Sequence, residues 1–253
     1  TCSSGGVIAN SMNNVLSTSL PGSQEVSLKS ENCGCGESGG INITAGEGTN
    51  LSELIASGTL PDLSLDPDGV FNNTCLSISG TLRIDQDYEI DGGEIIMQPG
   101  ARIIIETSDE LSLTNVDQNR GIHGCDQTWY GILLENSGTL YMENCQVEDA
   151  QHAVFVNNFC TVYLKNNDFN RNEVGLYANF EEITQNATFF YDFSNNTFRS
   201  EGAPLLPPFD GAYGLINEPW FSDVGYAGIY AEGGGNLQNL TVRNNTFQSI
   251  EYG

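Results

Sequence analysis

The chain repeats itself, and this self-similarity constrains the fold more than any other feature of the sequence. Four segments superimpose, each with an apolar strand, a second alternating strand and an Asn-containing turn. The number of residues from Gly131 to Ala153 equals the number from Ala153 to Gly175. We call this sequence separation the regular step. A unit of roughly 20–25 residues with two short strands cannot bury its apolar side alone. Successive units must therefore stack as a parallel β-solenoid.

Aligning the repeats produces three columns of apolar side chains. Alternation with a period of two places all three columns on the inward side of the strands. The columns are Leu140, Val162, Tyr191 and Leu240; Met142, Leu164, Phe193 and Val242; and Val147, Phe169, Phe198 and Phe247. The sequence therefore predicts a continuous core along the stack.

A fourth column is polar and contains Asn144, Asn166, Asn195 and Asn244. Asn tolerates the left-handed backbone angles that most residues avoid. Amides stacked at one corner of successive coils can also hydrogen-bond to one another. We interpret this column as a structural Asn ladder and not as a catalytic group.

The same register places opposite charges on neighbouring coils. Lys165 follows Glu143 by one regular step, and Arg171 follows Asp149 by the same step. Opposite charges that face each other across adjacent strands are mildly favourable. Two ion pairs between coils are therefore expected.

The alternating pattern continues upstream in weaker form, which predicts a solenoid over residues 75–253. An insertion at 199–226 interrupts the repeat, and the pattern at the chain end predicts further coils beyond Gly253. Residues 1–74 are predicted to form a loop-rich N-terminal extension, because residues 1–48 are rich in Ser, Gly and Asn and have few apolar positions. Within it, a capping-box spacing predicts a short helix near 50–57 that covers the open end of the first coil.

The charge balance limits the possible partners. The 253-residue chain has a net charge of −25 and only 8 Lys and Arg residues. Nucleic acid and anionic lipid need cationic side chains to neutralise their phosphates, so neither is an expected partner. No stretch has the length and hydrophobicity of a transmembrane helix, and we expect no membrane insertion.

Seven cysteines suggest disulfides in an oxidising compartment, and the odd number leaves at least one thiol without an internal partner. Cys125 and Cys145 are separated by nearly one coil and are predicted to bridge neighbouring turns. A zinc site is the alternative, but four ligands at suitable spacing are not evident and the chain has only two His residues.

An acidic run before the solenoid is a candidate calcium site. Asp62, Asp66 and Asp68 precede Gly69, and calcium prefers several oxygens on a tightly bent backbone. The EF-hand pattern is incomplete, because Cys75 stands where a Glu would be required. A solvated turn without metal is the alternative interpretation. No other cofactor is expected.

The insertion holds the candidate ligand-binding residues Tyr213, Trp220 and Phe221. Insertions in solenoids emerge on one side and often bind partners, so these rings are a candidate surface for carbohydrate or protein. Alternatively, they fold back as a small satellite core. The two histidines, His123 and His152, belong to no recognisable nucleophile arrangement and are expected at turns or on the surface.

Several phrases of the sequence resemble right-handed parallel β-helix repeat proteins. More narrowly, they resemble large secreted or surface proteins of the Bacteroidetes that leave the cell by type IX secretion. The phrases are residues 78–85, 97–103, 122–125, 129–132, 148–154 and 226–230. The resemblance covers the chain from Cys75 onward and implies an extracellular β-helix.

The enzymes of the wider β-helix group differ from this chain at their catalytic positions. Polygalacturonases carry a Gly-His-Gly motif and an Arg-x-Lys motif. In this chain Ile122 precedes His123, and no Arg-x-Lys exists. The related lyases use a Lys or Arg base beside calcium-binding acids, and cations are few here.

The leading hypothesis is a non-catalytic, structural or adhesive module within a longer secreted or surface protein. Its expected partners are further domains of the same polypeptide, glycans or cell-surface proteins. The alternative is a carbohydrate-active β-helix or a carbohydrate-binding module. A third hypothesis is a homotrimeric spike.

Overall fold

Short parallel strands form a stack of coils along the described part of the chain. The computed structural model describes residues 34–36, 40–65, 68–135, 137–157, 159–180, 189–212, 225–233 and 242–250, all within one compact unit. In chain order the elements are β1 (Ile41–Asn50), α1 (Leu51–Ala56), a 3-10 helix (Leu63–Leu65), β2 (Phe71–Asn72), β3 (Cys75–Ile84), β4 (Tyr88–Asp91), β5 (Glu94–Met97), β6 (Arg102–Ile105), β7 (Glu110–Thr114), β8 (Ile122–Gly124), β9 (Trp129–Leu134), β10 (Thr139–Glu143), β11 (Gln146–Glu148), β12 (Ala150–Val156), β13 (Thr161–Lys165), β14 (Asp168–Asn170), β15 (Val174–Phe180), β16 (Phe189–Ser194), β17 (Thr197–Arg199), β18 (Ala227–Gly233), β19 (Val242–Arg243) and β20 (Thr246–Gln248).

Each coil contributes one strand to each of three faces. Face 1 contains the first half of β3 and then β5, β8, β11, β14, β17 and β20. Face 2 contains the second half of β3 and then β6, β9, β12, β15 and β18. Face 3 contains β2, β4, β7, β10, β13, β16 and β19. The chain visits the three faces in this order, and all the strand pairs of the described residues are parallel, so the predicted all-β solenoid is confirmed.

The core lies between the three faces and follows the predicted columns. Met142, Leu164 and Phe193 pair in register, and all three are buried. The rings of Phe169 and Phe198 stack with centroids 4.8 Å apart. This layering removes apolar surface from water along the length of the stack, which is the main stabilising contribution to such a fold.

One predicted member of the core columns is displaced. Val162 pairs with Phe190, and Tyr163 pairs with Asp192, so a bulge falls at Tyr191. Tyr191 therefore does not continue the column of Leu140 and Val162 as predicted. Leu240 lies outside the described residues.

The predicted Asn column occupies the corner between faces 3 and 1. Asn144, Asn166, Asn195 and Asn244 all have φ between 55° and 57°, the left-handed conformation. Their side chains are exposed, however, and the predicted ladder of these four amides is wrong. Among the described contacts of this column, Asn144 Nδ2 donates to Asn115 Oδ1, in the preceding coil, at 3.2 Å.

The buried amide ladder is formed by the next residue in each coil, namely Asn167, Asn196 and Asn245. Asn196 Oδ1 accepts bonds from the backbone N–H and the Nδ2 of Asn167, at 3.0 and 3.1 Å. Asn196 Nδ2 donates to Leu164 O at 2.8 Å and to Asn245 Oδ1 at 3.0 Å. The ladder therefore satisfies backbone groups that the sharp corner removes from the strand pairing.

Both predicted ion pairs between coils are present. Lys165 Nζ lies 2.7 Å from Glu143 Oε1, and Arg171 Nε lies 3.2 Å from Asp149 Oδ1. In the first pair the Lys165 side chain is 41% exposed and that of Glu143 is 21% exposed, whereas the Asp149 carboxylate is fully buried.

The stack begins earlier than predicted. β1 lies within the segment assigned to a loop-rich extension, yet it pairs with β3 from Ile41 to Asn50. Helix α1 follows at Leu51–Ala56, where a helix was expected, and its Leu51 side chain is buried in the core. The Asn50 side chain makes no cap hydrogen bond; instead the Ser52 N–H donates to Asp85 Oδ1 at 2.9 Å.

Candidate functional site

The outer surface of face 1 is polar along most of its length. Strand alternation turns every second side chain outward. The outward positions in register are Ile96, His123, Glu148, Asn170, Arg199 and Gln248. A second outward column, two residues earlier, includes Gln146, Asp168 and Thr197. We call these outward side chains the face-1 surface.

His123 and Glu94 form a hydrogen-bonded pair on this surface. His123 Nδ1 lies 2.9 Å from the carbonyl oxygen of Gly124. His123 Nε2 lies 2.8 Å from Glu94 Oε1. The imidazole therefore bridges a backbone carbonyl and a carboxylate. Asn119 Nδ2 donates to the other carboxylate oxygen at 2.9 Å.

A cavity of about 520 Å³ opens beside this pair. Its side-chain lining includes His123, Glu94, Asn119, Arg120, Thr74 and Ile96. The Cys35–Cys75 disulfide and Gly34, Gly36 and Gly40 also line the cavity. The volume falls in the range that small-molecule sites occupy, roughly 300–1,000 Å³.

A buried ion-pair cluster lies next to the cavity. Arg120 Nε is 3.0 Å from Glu148 Oε2, and Arg120 Nη2 contacts Asp149 Oδ2. Arg171 Nη2 is 2.5 Å from Glu148 Oε2. Two guanidinium groups from different coils therefore neutralise two adjacent carboxylates, both of which are buried.

The two carboxylates respond differently to this environment. Burial acts to raise the pKa of Glu148, but Arg171, Asn170 and Arg120 outweigh it and hold that pKa below its ordinary value. Burial raises the pKa of Asp149 above its ordinary value, because Arg171 and Arg120 do not fully offset the lost solvation. Asp149 also has a φ of 61°, so it forms the corner from face 1 to face 2.

A second groove of about 430 Å³ opens farther along face 1. Its lining is made of amide, hydroxyl and charged side chains: Asn166, Asn167, Asp168, Asn195, Thr197, Arg199, Glu201 and Gln248. Asp168 and Arg199 form a bidentate ion pair there. The groove is therefore rich in hydrogen-bonding groups, and its main charges are paired.

Comparison with known proteins agrees with this three-faced stack. A family model described as a right-handed β-helix region matches residues 72–253. The chain belongs to the right-handed β-helix family. No curated protein and no solved structure matches it. Membership of this family defines the architecture but specifies no ligand.

The predicted binding residues of this β-helix, Tyr213, Trp220 and Phe221, lie outside the described residues. The described part of the insertion packs back on the stack: Thr128 N–H donates to Pro207 O at 2.8 Å. The ring of Phe209 lies 6.3 Å from that of Tyr130. This segment of the insertion therefore covers the corner between faces 1 and 2.

The candidate calcium residues do not converge in the described part of the β-helix. Asp62 Oδ1 accepts bonds from the N–H and the hydroxyl of Ser64, at 3.0 and 2.6 Å, as in a solvated turn. Asp66 lies outside the described residues, and calcium binding with Asp68 stays a prediction. Within the described ranges, no three His, Cys, Asp or Glu side chains are grouped to hold a metal ion. No helix in those ranges has the length and hydrophobicity to cross a membrane.

The predicted Cys125–Cys145 disulfide is wrong. Cys145 is a buried free thiol that occupies the inward corner position of its coil, the place that Asn167 takes in the next coil. Cys125 is disulfide-bonded, but not to Cys145. The described disulfide joins Cys35 to Cys75 instead, and no periodicity in the Gly-rich segment around Cys35 indicated it.

Neither histidine is solvent-exposed as expected, although the His123 side chain points outward from face 1. His152 is fully buried on the outer side of face 2, where its ring stacks on Tyr177 at 4.9 Å and lies near Phe155. Burial lowers the pKa of His152 to about 3, because the charged imidazole is poorly solvated there.

This burial predicts an acid-sensitive stability. His152 stays neutral in the folded protein, while in the unfolded chain it binds a proton below about pH 6.5. Stability is therefore fully present above that pH and falls by about 1.4 kcal/mol per pH unit as the pH decreases toward the folded pKa. Urea unfolding at several pH values should show this slope, and the His152→Phe variant should lack it. An unchanged slope in that variant would contradict the assignment.

The sequence did not predict the cavity beside His123 and Glu94, because these two residues are not separated by the regular step. Glu94 and His123 are 29 residues apart in the sequence, since the loop between β7 and β8 lengthens that coil. Asn115 and Asn144 show the same longer separation and the same left-handed φ. Extending the corner Asn column back to Asn115 would have revealed the longer coil.

Proposed function

We propose that the protein is an extracellular structural and adhesive module of a larger secreted or surface protein, without catalytic activity of its own. The observation that carries this proposal is the mutual pairing of the face-1 groups. Glu148, Asp149, Arg120 and Arg171 neutralise one another across successive coils. Such pairing stiffens the wall of the stack and leaves the carboxylates bound to other protein groups rather than to a substrate.

Composition and covalent cross-linking support an extracellular location. The Cys35–Cys75 disulfide suits an oxidising compartment. The net charge of −25 repels anionic lipids and nucleic acids, so glycans and cell-surface proteins are the partners that fit. The resemblance to Bacteroidetes surface proteins supports type IX secretion as the route, and a sorting domain encoded in the same reading frame would test that route.

The proposed function is tested by offering the protein a panel of polysaccharides and measuring retention and new reducing ends separately. We expect retention of one or more glycans, or of a cell-surface protein, and no product above a protein-free blank. Product that increases with protein concentration would contradict a non-catalytic module.

A carbohydrate-active β-helix is the second candidate, favoured by the hydrogen-bonded pair of His123 and Glu94 beside a cavity. A positioned pair of this kind can transfer a proton to or from a bound hydroxyl or leaving group. Under this alternative, turnover in the same panel should disappear in the Glu94→Gln variant.

A further inference from the structure

We propose that the cavity beside His123 and Glu94 is a binding site for a neutral, hydroxyl-rich ligand, one sugar unit of a glycan. This inference rests on the proposed adhesive function and names the site and the ligand chemistry. The site is distinct from the aromatic residues of the insertion, because its described lining comes from face 1, from the loop before β8 and from the Gly-rich segment before β1.

The charges around the cavity are balanced, which argues against an ionic ligand. Glu94 is hydrogen-bonded to His123, and Arg120 is paired with Glu148 and Asp149. An anionic or cationic ligand would have to break one of these pairs, which costs free energy in a partly buried site. A neutral ligand leaves all of them intact.

The cavity retains hydrogen-bonding capacity that suits hydroxyl groups. A carboxylate has about four acceptor positions. His123 and Asn119 use one position on each oxygen of Glu94. The exposed Thr74 hydroxyl and the Asn119 side chain also face the cavity. A sugar hydroxyl can donate to Glu94 while it accepts from Thr74 or Asn119.

One wall of the cavity is apolar. Ile96 and the Cys35–Cys75 disulfide form part of the lining and offer a surface for the C–H side of a pyranose ring. The mixture of a few convergent polar groups with apolar walls is typical of small-molecule sites.

The site is also fixed in shape before a ligand arrives. Glu94 and His123 lie on adjacent paired strands of face 1, and the disulfide fixes Cys35 to β3. Groups held by strands and a covalent cross-link lose little conformational freedom on binding. Weak hydrogen bonds to a neutral ligand can therefore yield measurable affinity.

Calorimetry on the whole chain tests the proposed site by measuring the binding of neutral and acidic glycans. The probes are cello-, manno- and laminari-oligosaccharides, the matching monosaccharides and polygalacturonate. We expect one of the neutral oligosaccharides to bind, with little dependence on salt. Glu94→Gln and Thr74→Val should each weaken it at least about tenfold, because each removes a ligand partner. Glu110→Gln makes the same chemical change on exposed face 3 and should bind as wild type.

The remaining outcomes overturn the proposal. Binding of polygalacturonate alone would contradict the charge argument, and undiminished binding in Glu94→Gln would place the site elsewhere. Binding of a monosaccharide without binding of the matching oligosaccharide would indicate a site for a free sugar rather than for a unit of a glycan. If none of the probes binds, the proposed site is wrong. Retention on a polysaccharide or on a cell-surface protein that persists in both variants would leave the adhesive function standing without it.

Discussion

Replacing Asn196 with Asp should lower the free energy of unfolding by about 4 kcal/mol, because the change removes two buried hydrogen-bond donors at once. Asn196 Nδ2 donates to Leu164 O and to Asn245 Oδ1, at 2.8 and 3.0 Å. An aspartate at this fully buried position would set a carboxylate oxygen against these two acceptors. Chemical denaturation of the two proteins at neutral pH measures the difference.

The neighbouring Asn195 is the matched control. Its side chain is exposed and its φ is 57°, a conformation that Asp also tolerates. Asn195→Asp should therefore change stability by less than about 1 kcal/mol. Equal losses in the two variants would contradict the assignment of the ladder to Asn167, Asn196 and Asn245.

Replacing Arg171 with Met should lower the free energy of unfolding by about 3–5 kcal/mol, because it leaves two buried carboxylates with one guanidinium. Arg171 contacts both Glu148 and Asp149, and its own side chain is only 12% exposed. In the Arg171→Met background, Asp149→Asn should restore part of the loss by removing the unpaired charge. Thermal or urea unfolding of the four proteins in this cycle measures the coupling.

Lys165→Met provides the comparison for this prediction. Lys165 and Arg171 each face an acidic residue of the preceding coil, but the Lys165 side chain is exposed. Exposed ion pairs contribute little to stability, so this variant should unfold nearly as wild type. If the two substitutions cost the same, burial is not what makes the Arg171 cluster important.

The sequence predicted the features that recur in the same order in every coil. The core columns and the corner positions keep this order although the coils differ in length, and the partners of each ion pair are one regular step apart. Similar side chains at equivalent positions indicate stacking. The amide ladder was assigned one residue too early because two Asn residues are adjacent at the corner, as in Asn195-Asn196. Periodicity identifies the corner but does not show which of the two amides turns inward.

Features without a constant spacing could not be predicted in this way. Helix α1 and the loop after it intervene between β1 and β3, so the pairing of Ile41 with Leu76 joins segments that are far apart in the sequence. The cavity joins Cys35, Glu94 and His123 from three different coils of unequal length. The orientation of the His123 ring depends on the position of the Gly124 carbonyl, which is a property of the folded backbone.

The central claim, that equivalent residues of successive coils lie directly above one another, is tested most directly by spin labelling. Thr139 and Thr161 pair across parallel strands, so labels at these positions should lie close to the strand spacing of about 4.8 Å and broaden each other's spectra strongly. The buried thiols Cys145 and Cys160 should stay unlabelled, because burial raises their pKa to about 12 and about 11. Labels at Thr139 and Lys165 should be roughly 13 Å apart or more and show little broadening. Strong broadening for Thr139 with Lys165 and weak broadening for Thr139 with Thr161 would indicate an antiparallel hairpin and contradict the stacked coil.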